Sequence, residues 1–182
     1  MTMKFDVSKY LTSCFIESGT YHGKGIIRAI KAGFKVVYSI EVLEASKHIA
    51  ENNLQSYHKD AVINLYLGDS IHILPQILEN LTERATFWLD GHGGYDGAGA
   101  CEKNCPLYEE LDAIEKHYIK DHIIMIDDLR IIRNGAWGTH NVNEAGIMYR
   151  LKKINSDYKF FYEDGAEDRD CLVAVVPNEE ST

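Results

Sequence analysis

"CFIESGTYHGKG", residues 14–25, joins two kinds of chain. Its first five residues are a short apolar run that ends in turn residues, and "GKGIIRAIKAGF" (23–34) then sets Ile26, Ile27 and Ile30 on one helical face. Between them Glu17, Gly19 and Gly23 spell E-x-G-x-x-x-G. Gly19 permits a tight turn and close backbone approach to a ligand. A helix N-terminus with free N–H groups follows. The G-x-G-x-x-G whose close glycines make room for a dinucleotide pyrophosphate is absent. The stretch therefore predicts strand, glycine turn and helix around a small ligand.

The same alternation runs outward along the chain. "KVVYSIE" (35–41), "INLYLGD" (63–69), "ATFWLD" (85–90) and "HIIMIDD" (122–128) read as strands. "EASKHIAENN" (44–53), "SIHILPQILEN" (70–80) and "NEAGIMYRLKKI" (143–154) read as helices, and Leu107, Leu111, Ile114 and Tyr118 mark one face of another. Strands and helices in this order imply βαβ units and a parallel sheet covered on both faces. "KFFYED" (159–164) and "CLVAVVP" (171–177) have no helix between them and predict a closing hairpin, with the loop from Tyr162 to Asp170, which contains five acids including Asp170, at its tip.

Glu17, Glu41, Asp69, Asp90 and Asp127–Asp128 all fall at or just after the C-terminal end of a predicted strand. In an open α/β sheet that edge binds ligands. Acids also start turns and cap helices there, a reading that serves any one of them better than the set. Glu41 lies 22 residues after Gly19 and suits the two hydroxyls of a ribose; Asp69, in "LGDS", suits an exocyclic amine such as that of adenine.

This series resembles the class I S-adenosylmethionine-dependent methyltransferases over roughly residues 12–177. The resemblance implies a Rossmann-like, doubly wound, mostly parallel seven-stranded sheet with a C-terminal antiparallel β-hairpin. It implies a cofactor site of Glu17, Gly19, Thr20, Gly23, Glu41, Asp69, Ser70 and Asp90, with Glu17 and Gly19 beside the methionine portion, Glu41 on the ribose, and Asp69 and Ser70 at the adenine. The glycine motif is looser than the family's D/E-x-G-x-G-x-G. The acids after strands four and five are similar to those of the metal-dependent O-methyltransferases acting on catechols and natural-product sugars. That likeness implies Mg²⁺ or a similar cation on Asp90, Asp127 and Asp128, and a base close after Asp90.

The chemistry follows from the residue types. Three neighbouring carboxylates repel one another, and a hard cation relieves them. Bound metal acidifies and aims an acceptor hydroxyl. His92 is the candidate base, since imidazole titrates near neutrality; a metal ligand and a turn cap are the other readings. "GHGGYDGAGA" (91–100) reads either as a glycine-hinged lid, with Tyr95 and Asp96 touching substrate, or as a plain surface loop. Trp137, between Gly135 and Gly138, is either a stacking wall for substrate or a packing anchor.

The totals bound the rest. The chain's 182 residues suit a single domain spanning 1–182, and a net charge of -9 disfavours nucleic acid or an anionic membrane as partner. Four cysteines in a chain whose start lacks a signal-peptide pattern suggest reduced thiols in the cytoplasm. Cys101 and Cys105 lack the further ligands that a zinc site needs. Few residues precede the first strand, so the cleft is expected to be open, to be covered by the loops at 91–105 and 130–142, or to be covered by a partner subunit in a homo-oligomer. The expected reaction is O-methyl transfer to a hydroxyl of a small molecule or glycan. The alternatives are a non-catalytic S-adenosylmethionine- or nucleotide-binding module, or a non-methylating enzyme using that cofactor. N-methylation is disfavoured because "DGHG" stands where an N-P-P-[YF] signature would.

Overall fold

The computed structural model describes residues 3–92, 104–135 and 141–177. Runs rich in β-branched and aromatic residues form the strands: β1 (Cys14–Ser18), β2 (Val36–Glu41), β3 (Val62–Leu67), β4 (Ala85–Leu89), β5 (Ile123–Ile126), β6 (Lys159–Glu163) and β7 (Cys171–Val175). The helices are α1 (Lys24–Ala32), α2 (Glu44–Leu54), α3 (Ser70–Glu79), α4 (Leu107–Lys116), α5 (Leu129–Arg133) and α6 (Glu144–Ile154). One sheet runs β3-β2-β1-β4-β5-β7-β6. β1 to β5 pair in parallel, whereas β7 is antiparallel to both β5 and β6. The doubly wound fold and the closing hairpin are as expected.

The inner strands are apolar at successive positions because both faces of the sheet are covered. Every residue of β1, β4 and β5 is buried. Ile16 and Phe87 pack with Leu74, Leu111 and Leu151 of α3, α4 and α6. Their neighbours Phe15 and Trp88 point the other way, toward Ile26, Ala29 and Leu54 of α1 and α2. At the amino edge a histidine relay ties β4, β5 and the end of α4 together. Ala85 N–H donates to His122 Nδ1 (3.0 Å), His122 Nε2 and His117 Nδ1 lie 2.9 Å apart, and His117 Nε2 lies 3.0 Å from Leu81 O. The carbonyl can only accept, so His117 donates to it from Nε2 and receives His122's proton at Nδ1; both rings are neutral.

Two expectations change. Tyr118 lies beyond α4 and is 67% exposed. Its hydroxyl reaches Leu81 O, a carbonyl beyond the reach of the helix face. Residues 129–133, which lie between the strand predicted at 122–128 and the helix predicted at 143–154, form α5, which is too short to show a hydrophobic period.

The topology also fixes where a site can form. From β1 the chain winds outward to β2 and β3, then returns to lay β4 on the other side of β1. The loops after β1 and β4 therefore diverge at the carboxyl edge and leave a crevice there.

Candidate active site

Gly19 enters that crevice at φ +83°, a conformation that favours glycine. A Cβ there would stand 2.4 Å from the Asp90 carbonyl oxygen. The β1 turn and the end of β4 thus meet backbone to backbone. Gly19 N–H and Thr20 N–H both donate to Ile40 O, Tyr21 N–H donates to Glu41 Oε2 (2.6 Å), and Gly23 N–H donates to Thr20 O. Four of the turn's amides are therefore taken up inside the protein and cannot cradle a pyrophosphate. Glu41 also accepts from Leu43 N–H at 2.9 Å, so its carboxylate is aimed by two backbone donors. Each oxygen keeps further acceptor capacity for a hydroxyl.

Glu17 is fully buried beneath this turn. Ser39 Oγ donates to Glu17 Oε2 (2.6 Å), Thr20 Oγ1 lies 2.6 Å from Ser39 Oγ, and Glu17 Oε1 has no partner. Burial, opposed by the Ser39 bond and reinforced by Glu41, pushes the Glu17 carboxyl up to about 8. Asp69 caps α3 through Ile71 N–H (3.0 Å), and Ser70 is buried at the first position of that helix.

Asp90 follows β4 and keeps some solvent contact, though it is packed around on most sides. Burial first, then the charges of Asp127 and Asp128, raise its carboxyl well above the usual range. Asp127 is fully buried. Its Oδ1 accepts from Asp128 N–H (2.8 Å) and from Cys171 Sγ (3.1 Å), while its Oδ2 has no partner. Burial and Asp128 push Asp127 up to about 6. Burial holds the His92 imidazole down at about 4 against the pull of Asp128, so the ring is neutral at pH 7.

The expected metal ligands divide into two groups. Ligand atoms of Asp90, His92 and Asp128 lie within 4.8 Å of one another, and so do those of Asp127, Asp128 and Asp170. Asp128 sits in the left-handed region at φ +60° and belongs to both. In the second group Arg130 Nη1 bonds both Asp128 Oδ1 (2.5 Å) and Asp170 Oδ2, and Arg130 N–H donates to Asp170 Oδ1 (2.9 Å). A fixed guanidinium already balances those acids. Tyr95, Asp96 and Trp137 lie outside the described residues.

Two site residues escaped the sequence reading. Asp170 was expected at a solvent-facing tip but is fully buried against Arg130. Glu110 is fully buried on α4, among Leu107, Leu111 and Ile114. A Cβ on Gly91 would meet Ser18 Oγ at 3.2 Å and Glu110 Oε1 at 3.4 Å, so Glu110 lies under the β1/β4 crevice. Neither of its oxygens has a well-formed hydrogen bond. Burial pushes its carboxyl up to about 7, although the nearby Ser70 and Ser18 hydroxyls pull it down. An acid three residues after one core leucine and four before a core isoleucine was the available signal.

Solved structures share this fold. The O-methyltransferase TomG from Streptomyces achromogenes, involved in tomaymycin synthesis and in complex with SAM, superposes at a TM-score of 0.62 with 16% identity, over 94% of this chain and 76% of that one. The fold is the Rossmann-like methyltransferase fold. The O-methyltransferase from Bacillus cereus in complex with SAH gives a TM-score of 0.59 and 18% identity, over 94% and 77% of the two chains. A candidate methyltransferase from Streptococcus mutans in complex with SAH gives 0.62 and 14%, over 93% and 92%. No protein-family model matches the sequence, and no curated protein matches it. Among the described residues no helix is long and apolar enough to cross a membrane.

Proposed function

We propose that the chain is an S-adenosylmethionine-dependent methyltransferase that methylates a hydroxyl of a small molecule or glycan, assisted by a divalent cation. The observation that carries the reading is the crevice itself. Its glycine turn is closed onto β2, which suits a cofactor without phosphates, and Glu17, Glu41, Asp69 and Asp90 stand at or just after the C-terminal ends of β1 to β4.

The residues fit such a cofactor. Glu41 is held by two amides with acceptor capacity left for ribose hydroxyls. Asp69 and Ser70 at the start of α3 border the adenine position, with Glu17, Gly19, Thr20 and Gly23 around the methionine end. When bound, S-adenosylmethionine supplies a methyl group on a positive sulfonium, and the cation acidifies the acceptor hydroxyl. Asp90 and Asp128 would hold the cation. Asp127 orients Asp128 through its amide.

Calorimetric titration with S-adenosylmethionine tests the reading, on the native chain and on Glu41→Ala with its melting temperature checked. Binding by the native chain that weakens in a folded Glu41→Ala supports it. Absence of binding by the native chain, with and without divalent cation, would sink it.

A further inference from the structure

The expected ligands were Asp90, Asp127 and Asp128, with metal ligand among the readings of His92. The structure groups Asp90, His92 and Asp128, whose ligand atoms converge within 4.8 Å. Asp128 also groups with Asp127 and Asp170, and Arg130 bonds both Asp128 and Asp170. From these positions we infer that the crevice holds a first-row transition ion of the Mn²⁺ class on Asp90, His92 and Asp128, and that Mg²⁺ is not its preferred occupant. The inference rests on the divalent-cation part of the proposed function and deepens it.

Three observations carry it. The donor set is mixed: two carboxylates and one imidazole on a turn of three residues and its neighbouring strand end. Mg²⁺ favours oxygen and gives up its waters reluctantly, whereas an imidazole donor suits first-row transition ions, whose affinity for such sites rises from Mn²⁺ upward. His92 is only 8% exposed and fixed two residues beyond Asp90, so the two side chains come to the site from one short segment. Asp127 Oδ2, one residue before Asp128, is buried with no partner. Among the described residues the cation bonded to this cluster is Arg130, which reaches Asp128 and Asp170. With its lone pair given to the ion, His92 does not act as the base, and the acceptor proton leaves to water or to a substrate-side group.

The test uses Mn²⁺ itself on the metal-stripped full chain. Loss of the free-ion resonance counts bound Mn²⁺, Mg²⁺ serves as competitor, and pulsed paramagnetic resonance looks for a coordinated nitrogen. The expected result is one Mn²⁺ per chain with nitrogen coupling. His92→Asp, which keeps a ligand but removes the nitrogen, abolishes that coupling and lowers the preference for Mn²⁺ over Mg²⁺ by about tenfold or more. Bound Mn²⁺ without nitrogen coupling, unchanged selectivity in His92→Asp, or no Mn²⁺ binding overturns the inference. Calorimetry with S-adenosylmethinonine on the same samples separates the two readings. Cofactor binding without a nitrogen-ligated ion overturns only this inference, and a nitrogen-ligated ion without cofactor binding supports it while sinking the methyltransferase reading.

Discussion

Glu17→Gln gives the most direct measure of the tension built into the crevice. The Glu17 carboxyl is fully buried, has one hydrogen bond from Ser39, and is pushed up to about 8 from an ordinary 4.5. A raised acid favours the protonated fold, so its stabilising balance is best below the unfolded value. It is lost as pH rises from 4.5 toward 8, and it levels off above that. At about 1.36 kcal/mol per pKa unit, Glu17 destabilises the native state by about 1 kcal/mol at pH 5, about 3 at pH 7 and nearly 5 at pH 9. Glutamine has nearly the same shape, still accepts from Ser39, and never ionises. The stability difference between Glu17→Gln and the native chain should therefore grow in the variant's favour by about 4 kcal/mol between pH 5 and pH 9. With a urea m-value of about 2 kcal/mol/M, that is a relative midpoint shift of about 2 M, read from denaturation curves at each pH. Parallel pH profiles for the two proteins would refute the assignment of a buried, high-pKa Glu17. A profile in which the variant loses ground as pH rises would reverse its sign.

Three further outcomes follow from other parts of the fold. Gly19→Ala must place a methyl group 2.4 Å from Asp90 O at a positive φ, so cofactor binding should be lost in calorimetry and stability should fall by about 2 kcal/mol or more. His122 is held down at about 4 from 6.5 by burial and by His117, so its contribution is intact above 6.5 and lost as pH falls toward 4; His122→Asn should flatten about 3 kcal/mol of acid destabilisation in urea curves taken at pH 7 and pH 4. Arg130→Ala leaves Asp170 buried without its counter-charge and should lower stability by about 2–3 kcal/mol by thermal melting, while Arg150→Ala, which loses a half-exposed partner in Asp112, should cost under about 1 kcal/mol.

The strands were legible because their signal is local. Apolar runs such as "ATFWLD" and "IIMIDD" need no knowledge of their neighbours, and the acids that end them announce the carboxyl edge. Which acids meet was less legible, because that depends on pairing. Asp170 shows the step that was missed. A strand antiparallel to β5 begins where β5 ends, as the Ile126–Leu172 register shows. The residue just before β7 therefore belongs with the residues just after β5, and Asp170 joins Asp127 and Asp128. Counting acids only at the ends of strands leaves it out. The partners of Arg130 depend on packing in the same way: α5 is a single short turn, and only its packing brings the guanidinium between Asp128 and Asp170.

Charge then explains why this edge suits one kind of ligand. Burial leaves Glu17 at about 8, Glu110 at about 7, Asp127 at about 6 and Asp90 well raised, all within one crevice. In the free protein Glu17 and Glu110 are relieved mainly by taking up protons, while Arg130 balances Asp128 and Asp170. A dinucleotide would add pyrophosphate charge to the same space, and four amides of the turn that could meet it are already bonded. A sulfonium cofactor and a divalent cation both bring positive charge instead. Each would let the carboxyls ionise, so their binding should release protons and reinforce one another. The acids that make the empty crevice costly are the ones that would make it selective for cations.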